Sequence, residues 1–453
     1  MNRSVRWLAL GGTMLAALGW AGGTALAAEP PLAGIDHIVV IYLENWSFDA
    51  LFGHFPGANG LANAGAAAIQ VDKEGKPYAA LPPVIDTGLT PPAPDARFPE
   101  NLLNQPFDIG RYVPIDQKTG DLIHRFYTNQ LQIDGGRNDK FVAWSDAKAL
   151  ALGYRDGSGT RLWQLAKDYT LADNFFQGAF GGSFLNHFWL VCACTPRYEA
   201  APEALRATFD EHGAVTKDGA VTPDGYAVNT MQPSGPPHSP TITDPSRLLP
   251  PQDMPTIGDR LSERGISWAW YSGGWNDALA GKADPLFQFH HHPFAHFRQF
   301  GEGTAARAEH LKDGADLMQA ISDGTLPAVT FYKPIGEYNL HPGYAEVASG
   351  DRHLGEVIDR LSHGPQWQKT AVIITFDENG GLWDHVAPPA GDRWGPGTRI
   401  PTLVVSPHAK KGFIDHTQYD STSILATIEH RFGLAPLGER DAKAHDLGAA
   451  FED

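Results

Sequence analysis

Residues Ala371 to Val386 read AVIITFDENGGLWDHV, a β-branched run that stops abruptly in two adjacent carboxylates, two glycines and a histidine. Val372, Ile373 and Ile374 have the unbroken apolar character of a short strand buried on both faces, as in the middle of a parallel sheet. Asp377 and Glu378 then fall at its carboxyl end. In open α/β sheets that edge gathers ligands, because loops converge there while the strands hold them rigid. Two neighbouring carboxylates repel, so a site that keeps both ionised needs a cation. With Gly380, Gly381 and His385 following so closely, the segment predicts a metal or catalytic role.

A second strand with the same ending lies near the start of the chain. Asp36 to Leu43 is almost wholly apolar and runs into Glu44-Asn45, another acidic and amide pair. Leu162 to Asp168 reads as a helix leading into Leu171 to Phe176. The sequence GGSFLNH then puts Ser183 after a glycine pair at a helix start, where backbone N–H groups can face an anion. Ile257 to Arg264 is a short amphipathic helix, followed by strands at Ile266 to Tyr271 and Ala328 to Tyr332. A helix over His353 to Leu361 feeds the central strand, Thr402 to Ser406 is the last strand, and Ser421 to Arg431 closes the core as a helix. Such alternation predicts an α/β fold with a mostly parallel sheet covered on both sides.

The chain opens with Arg3 and Arg6, an apolar run and Ala25-Leu26-Ala27, the pattern of a secretory signal peptide over residues 1–27 rather than a membrane span. It carries no paired arginines and no following cysteine for a lipid anchor, so general export to the periplasm or beyond is expected. Without that leader, 33 basic face 52 acidic side chains, a net charge of −19 with His neutral. Such a surface suits neither nucleic acid nor an anionic membrane. Cys192 and Cys194 are one residue apart, too close for an ordinary unstrained disulfide, so no disulfide framework is expected. Cys194-Thr195-Pro196-Arg197 misses the sulfatase signature by one residue. Residues 28–453 read as one large catalytic domain with loop-rich insertions near 82–120 and 199–251, where no helical or strand periodicity holds.

Glu44, Asn45, Asp377 and Glu378 offer oxygen ligands from two strand ends. All-oxygen coordination suits Mg²⁺, Mn²⁺ or Ca²⁺ better than zinc, although carboxylates bind zinc too. Histidine is the second concentration: the run His290-His291-His292, with His124, His187, His341, His353 and His385. Imidazolium groups can grip a phosphate and protonate a departing alcohol, and a site built on charged histidines works best below neutrality. Arg125, Arg137 and Arg298 lie near these histidines in sequence and offer a guanidinium clamp. Ser183 lacks the Gly-x-Ser-x-Gly frame of an α/β-hydrolase. With its hydroxyl on a cation it becomes a competent nucleophile.

Seven segments now carry a resemblance, in order: HIVVIYLENWSFDALFGHFPG, HRFYTNQLQIDGGRNDKF, GGSFLNHFWL, LFQFHHHPFAHF, NLHPGY, FDENGGLWDHV and RIPTLVVSPHAKKGFIDH. The chain resembles the bacterial phosphoesterase family that joins periplasmic acid phosphatases to non-haemolytic-type phospholipases C. That resemblance implies an alkaline-phosphatase-like three-layer α/β/α core and one divalent metal ion. Position by position, it implies metal ligation by Glu44, Asn45, Ser183, Asp377 and Glu378, with Ser183 attacking phosphorus. It also implies phosphate-side and catalytic roles for His124, His290, His291 and His341, with Asn45 beside the substrate. His292 stands where glutamine is expected in relatives and is left out.

The chain ends soon after the Ser421 helix, without the extra C-terminal β-rich modules of larger phospholipases C, and so looks more like the acid phosphatase branch. The expected activity is hydrolysis of small phosphate monoesters. The alternatives are phospholipase C action on phosphatidylcholine-type diesters or a non-catalytic phosphate- or metal-binding module; Trp268, Trp270, Trp275 and Phe287 could face a choline cation, but such aromatics are more often core residues.

Overall fold

The computed structural model describes residues 32–452, so the expected leader over residues 1–27 lies outside the described residues. Eight strands build the central sheet: β1 His37–Leu43, β2 Thr170–Ala172, β3 Trp268–Ser272, β4 Leu311–Asp313, β5 Val329–Lys333, β6 Thr370–Phe376, β7 Thr402–Val405 and β8 Phe413–Asp415. Their spatial order is β4-β3-β5-β1-β6-β7-β2-β8. Only β7 runs against the others; it pairs antiparallel with both β6 and β2. β1 is flanked by parallel partners on both sides, which explains its unbroken apolar sequence.

Six helices matter to the architecture: α1 Arg161–Asp168, α2 Ser183–Cys192, α3 Ile257–Glu263, α4 Gly314–Asp323, α5 Val347–His363 and α6 Ser421–Phe432. α5 packs against α1 and α4, while α2 packs against α6 and α3, so the sheet lies between two helical layers. This is the three-layer, mostly parallel α/β arrangement that the alternating pattern predicts. Among the described residues no helix is long and apolar enough to cross a membrane.

α2 is apolar nearly all round, and every one of its residues is buried. It ends at Ala193, whose left-handed backbone (φ 46°, ψ 38°) turns the chain back on itself. That turn corrects the reading of the cysteines. It brings the Cα atoms of Cys192 and Cys194 to 5.1 Å, and the two form a disulfide. Residues 82–120 and 199–251 hold only strands of two or three residues and single 3₁₀ turns.

Candidate active site

The register of β1 against β6 decides the geometry. Leu43 is level with Phe376, and the Asp377 N–H donates to the Leu43 carbonyl at 3.0 Å. The residues that follow, Glu44-Asn45 and Asp377-Glu378, therefore leave the sheet side by side, and all four side chains are buried. Lys333, the last residue of β5, arrives on the other flank of β1. Ser183 is the first residue of α2, and its hydroxyl lies 3.4 Å from Glu44 Oε2.

Close backbone approach at the glycines makes this convergence possible. A Cβ on Gly182 would stand 2.6 Å from the His124 carbonyl oxygen, and one on Gly380 2.5 Å from the Asn45 carbonyl oxygen. Gly380 also has a φ of +61°, a conformation that side chains oppose. The glycine pairs thus bring the serine turn against His124 and the Glu378 loop against Asn45.

Each carboxylate of the second pair has one oxygen tied down and one left open. Asp377 Oδ1 accepts from the Glu378 N–H at 2.8 Å, and Glu378 Oε2 accepts from the Gly380 N–H at 2.6 Å. Asp377 Oδ2, Glu378 Oε1 and both side-chain polar atoms of Asn45 are buried without a hydrogen-bond partner. Orphaned buried acceptors carry a desolvation cost, and a cation among them removes it. The oxygen-rich donor set fits a hard divalent ion. Burial first, and then the Glu44 charge, raises Asp377 well above the usual carboxylate range; burial likewise raises Glu378, against the Gly380 N–H. Glu44 goes the other way. Burial pulls it up, but the His291 and Lys333 charges more than offset that and hold it well below.

Histidines ring this centre. His291 Nε2 is 2.9 Å from Glu44 Oε1, His341 Nε2 is 3.8 Å from Glu44 Oε2, and His124 Nε2 is 3.8 Å from Glu378 Oε1. The His290 ring lies 4.4 Å from that of His291. His187, one turn along α2, donates its Nδ1–H to the Ser183 carbonyl at 2.7 Å, stacks on His291 at 5.0 Å and lies 3.8 Å from Asp377. With Glu44 and Asp377 it forms a group compact enough to hold an ion, as do Asp121, His124 and His341. A cleft of about 350 Å³ opens beside His124 and Gly182, with Thr87, Asp121, Arg125 and Asn229 in its walls.

Several expectations are corrected. Burial lowers His291 to about 4 and also lowers His290, His341 and His187, against the expectation of freely charged imidazolium groups. None of the three arginines forms a free clamp. Arg125 pairs with Asp218, Arg137 with Asp134, and Arg298 with Asp253 on the surface. His385 belongs elsewhere, with Asp49 Oδ2 at 2.6 Å. His292 packs on Trp275 at 4.1 Å, away from Glu44. Trp268, Trp270, Trp275 and Phe287 are core residues, each less than a tenth exposed, in line with the favoured reading of these aromatics. Lys333 and a contacting His187 were not assigned from sequence. A lone lysine closing VTFYK gives no signal beyond its place at a strand end.

The model of the Phosphoesterase family matches residues 35–435. The chain belongs to that family. It is 24% identical over 468 residues to the non-hemolytic phospholipase C of Pseudomonas aeruginosa, covering 93% of this chain and 57% of that one. It is 27% identical over 482 residues to the non-hemolytic phospholipase C of Burkholderia pseudomallei, covering 92% and 60% respectively. Phospholipase C A of Mycobacterium tuberculosis is 24% identical over 466 residues, with 93% and 78% covered. The chain thus spans less than two thirds of the first two relatives. A solved alkaline phosphatase superfamily protein from Vibrio parahaemolyticus aligns over 84% of this chain and 77% of its own, with 11% identity and a TM-score of 0.36.

Proposed function

We propose that this chain is an exported, cation-dependent phosphoric ester hydrolase that cleaves phosphate monoesters by attack of Ser183 on phosphorus. The observation that carries the reading is the meeting of Glu44, Asn45, Asp377 and Glu378 beside the Ser183 hydroxyl, with four buried acceptor oxygens, one on each residue, left without hydrogen-bond partners. Glu44, Asn45, Ser183, Asp377 and Glu378 would hold one divalent cation. Bound there, it supplies positive charge that acidifies the serine hydroxyl and offsets charge building on the phosphoryl oxygens. Three carboxylates against the single Lys333 ammonium leave a charge deficit that one divalent ion cancels.

Ser183 Oγ gives its proton to a neighbouring histidine and forms the new bond to phosphorus, and the bond from phosphorus to the ester oxygen breaks. A water molecule then cleaves the phosphoserine to release phosphate and restore the hydroxyl. His124, His290, His291 and His341 orient the phosphoryl group, with Asn45 as a further donor. A phosphate anion placed against these rings draws protons onto them, raising their affinity for protons when it matters. One of them then gives its proton to the leaving alcohol. The cleft beside His124 and Gly182 accommodates that alcohol.

A second reading, phospholipase C action on phosphodiesters, is favoured by the names of the relatives. Protein stripped of metal and reloaded with Mg²⁺, Mn²⁺, Ca²⁺ or Zn²⁺ singly, then assayed on p-nitrophenyl phosphate beside p-nitrophenyl phosphorylcholine, separates the two. Preference for the monoester with one restored ion supports the primary reading. Turnover of the diester alone overturns it.

A further inference from the structure

Lys333 is a lysine with almost no access to water: its side chain is 1% exposed. Burying an ammonium costs several kcal/mol unless a charge partner repays it. Its partner is Glu44 Oε1, which it contacts directly, while the Tyr42 ring lies 5.2 Å from Nζ. Among the described residues neither Nζ nor Glu44 Oε1 has a hydrogen-bond partner, so the ion pair between them is what offsets the buried ammonium. His291 Nε2 reaches the same oxygen at 2.9 Å. The two oxygens of Glu44 therefore face different company. Oε1 is held by Lys333 and His291, whereas Oε2 looks towards Ser183 at 3.4 Å and His341 at 3.8 Å.

We infer that Lys333 is a positioning residue: it pins Glu44 through Oε1 so that Oε2 alone is presented to the cation and to the Ser183 hydroxyl. The inference rests on the cation site proposed above and adds to it a residue outside the ligand set. A compact ammonium suits the task, since a point charge on a short strand end fixes one oxygen without covering the other. β5 supplies the rigidity. Its register with β1, Ile41 beside Tyr332, places Lys333 at the level of Tyr42, one strand spacing from Glu44's own strand.

Pure electrostatics and positioning predict opposite signs. Removing a positive charge next to a divalent ion should tighten binding if Lys333 does no more than contribute charge. Releasing Glu44 from its fixed geometry should weaken binding, as loss of a group that orients a metal ligand does.

The test is a calorimetric titration of metal-stripped full-length protein with Mn²⁺ for the wild type, Lys333→Met, Glu44→Gln and the double variant. Folding of each is followed by far-UV circular dichroism. Lys333→Met is expected to weaken Mn²⁺ binding at least about tenfold. In the Glu44→Gln background the same change should matter by less than about threefold, because a residue acting through Glu44 has nothing left to act on. Unchanged or tighter Mn²⁺ binding by Lys333→Met overturns the inference, as do effects that simply add in the double variant or a wild type that takes up no Mn²⁺. Lys333→Gln is the second variant if Lys333→Met does not fold, and carries the same expectation. Ester cleavage is not part of the readout. A protein that shows this coupling yet cleaves no ester would remove the hydrolase reading and leave Lys333 in place; cleavage with no coupling would do the reverse.

Discussion

The Ser183 hydroxyl and the Glu44 carboxylate stand 3.4 Å apart although 139 residues separate them in the chain. Glu44 is fixed by the register of β1 with β6, and Ser183 by the start of a helix buried along its whole length. Neither position depends on a long mobile loop. In the proposed mechanism a serine held this way would attack with little rearrangement, which is how enzymes convert binding geometry into rate.

Gly182 should tolerate no side chain. Its added Cβ would meet the His124 carbonyl oxygen at 2.6 Å, a backbone atom with little freedom to retreat. Gly182→Ala is expected to cost about 1–3 kcal/mol of stability, the usual range for overpacking. Because the displaced elements carry His124 and Ser183, kcat should fall further than the stability loss explains. Urea unfolding and kcat measured on the same preparation check both parts.

Arg399 holds a second buried charge cluster together, away from Ser183. It contacts Asp49 at 3.0 Å and Asp384 at 3.1 Å, and donates to the backbone carbonyls of Asn59 and Asp173. Arg399→Met would leave two buried carboxylates facing each other with only His385, at 2.6 Å from Asp49, beside them. The expected loss is about 3–5 kcal/mol, typical of breaking a buried ion pair from one side. Equilibrium urea unfolding at pH 7 measures it, and a change under about 1 kcal/mol would contradict the role given to the cluster.

Glu429 predicts a pH dependence of stability. Burial, reinforced by the neighbouring Asp441, raises its carboxyl from 4.5 to about 8. A carboxyl raised on folding binds its proton more tightly in the native state, so its contribution is complete below about pH 4.5 and is lost as pH rises through about 8. Glu429→Gln carries no such proton. The difference in Tm between the variant and the wild type should move in the variant's favour from pH 5 to pH 8, and a flat difference would contradict the assignment.

Much of the candidate site's convergence is legible because its oxygen-bearing residues come as pairs. Glu44-Asn45 and Asp377-Glu378 each close an apolar run, and a strand that ends in a polar pair announces where the sheet edge lies. Ser183 was marked by its glycines, which the structure explains by the approach of Gly181 and Gly182 to Arg125, Phe126 and His124. Lys333 was not legible, since a strand-terminal lysine is ordinarily solvated and only the neighbouring strand's identity shows otherwise. His385 misled for the converse reason. Its closeness in sequence to Asp377 says nothing about a loop that turns it onto Asp49. In the sheet, the reversed direction of β7 and the three-residue strands β2, β4 and β8 carry too few residues to define a period. The cysteine pair failed because spacing was weighed without the left-handed turn at Ala193.

Turnover by Ser183→Ala tests the central claim most directly, with the variant folded and one equivalent of divalent cation shown to be bound. On p-nitrophenyl phosphate the account predicts a fall in kcat of at least about 10³-fold, the scale on which loss of a nucleophile is felt. Hydrolysis at the wild-type rate by that cation-loaded variant would contradict it.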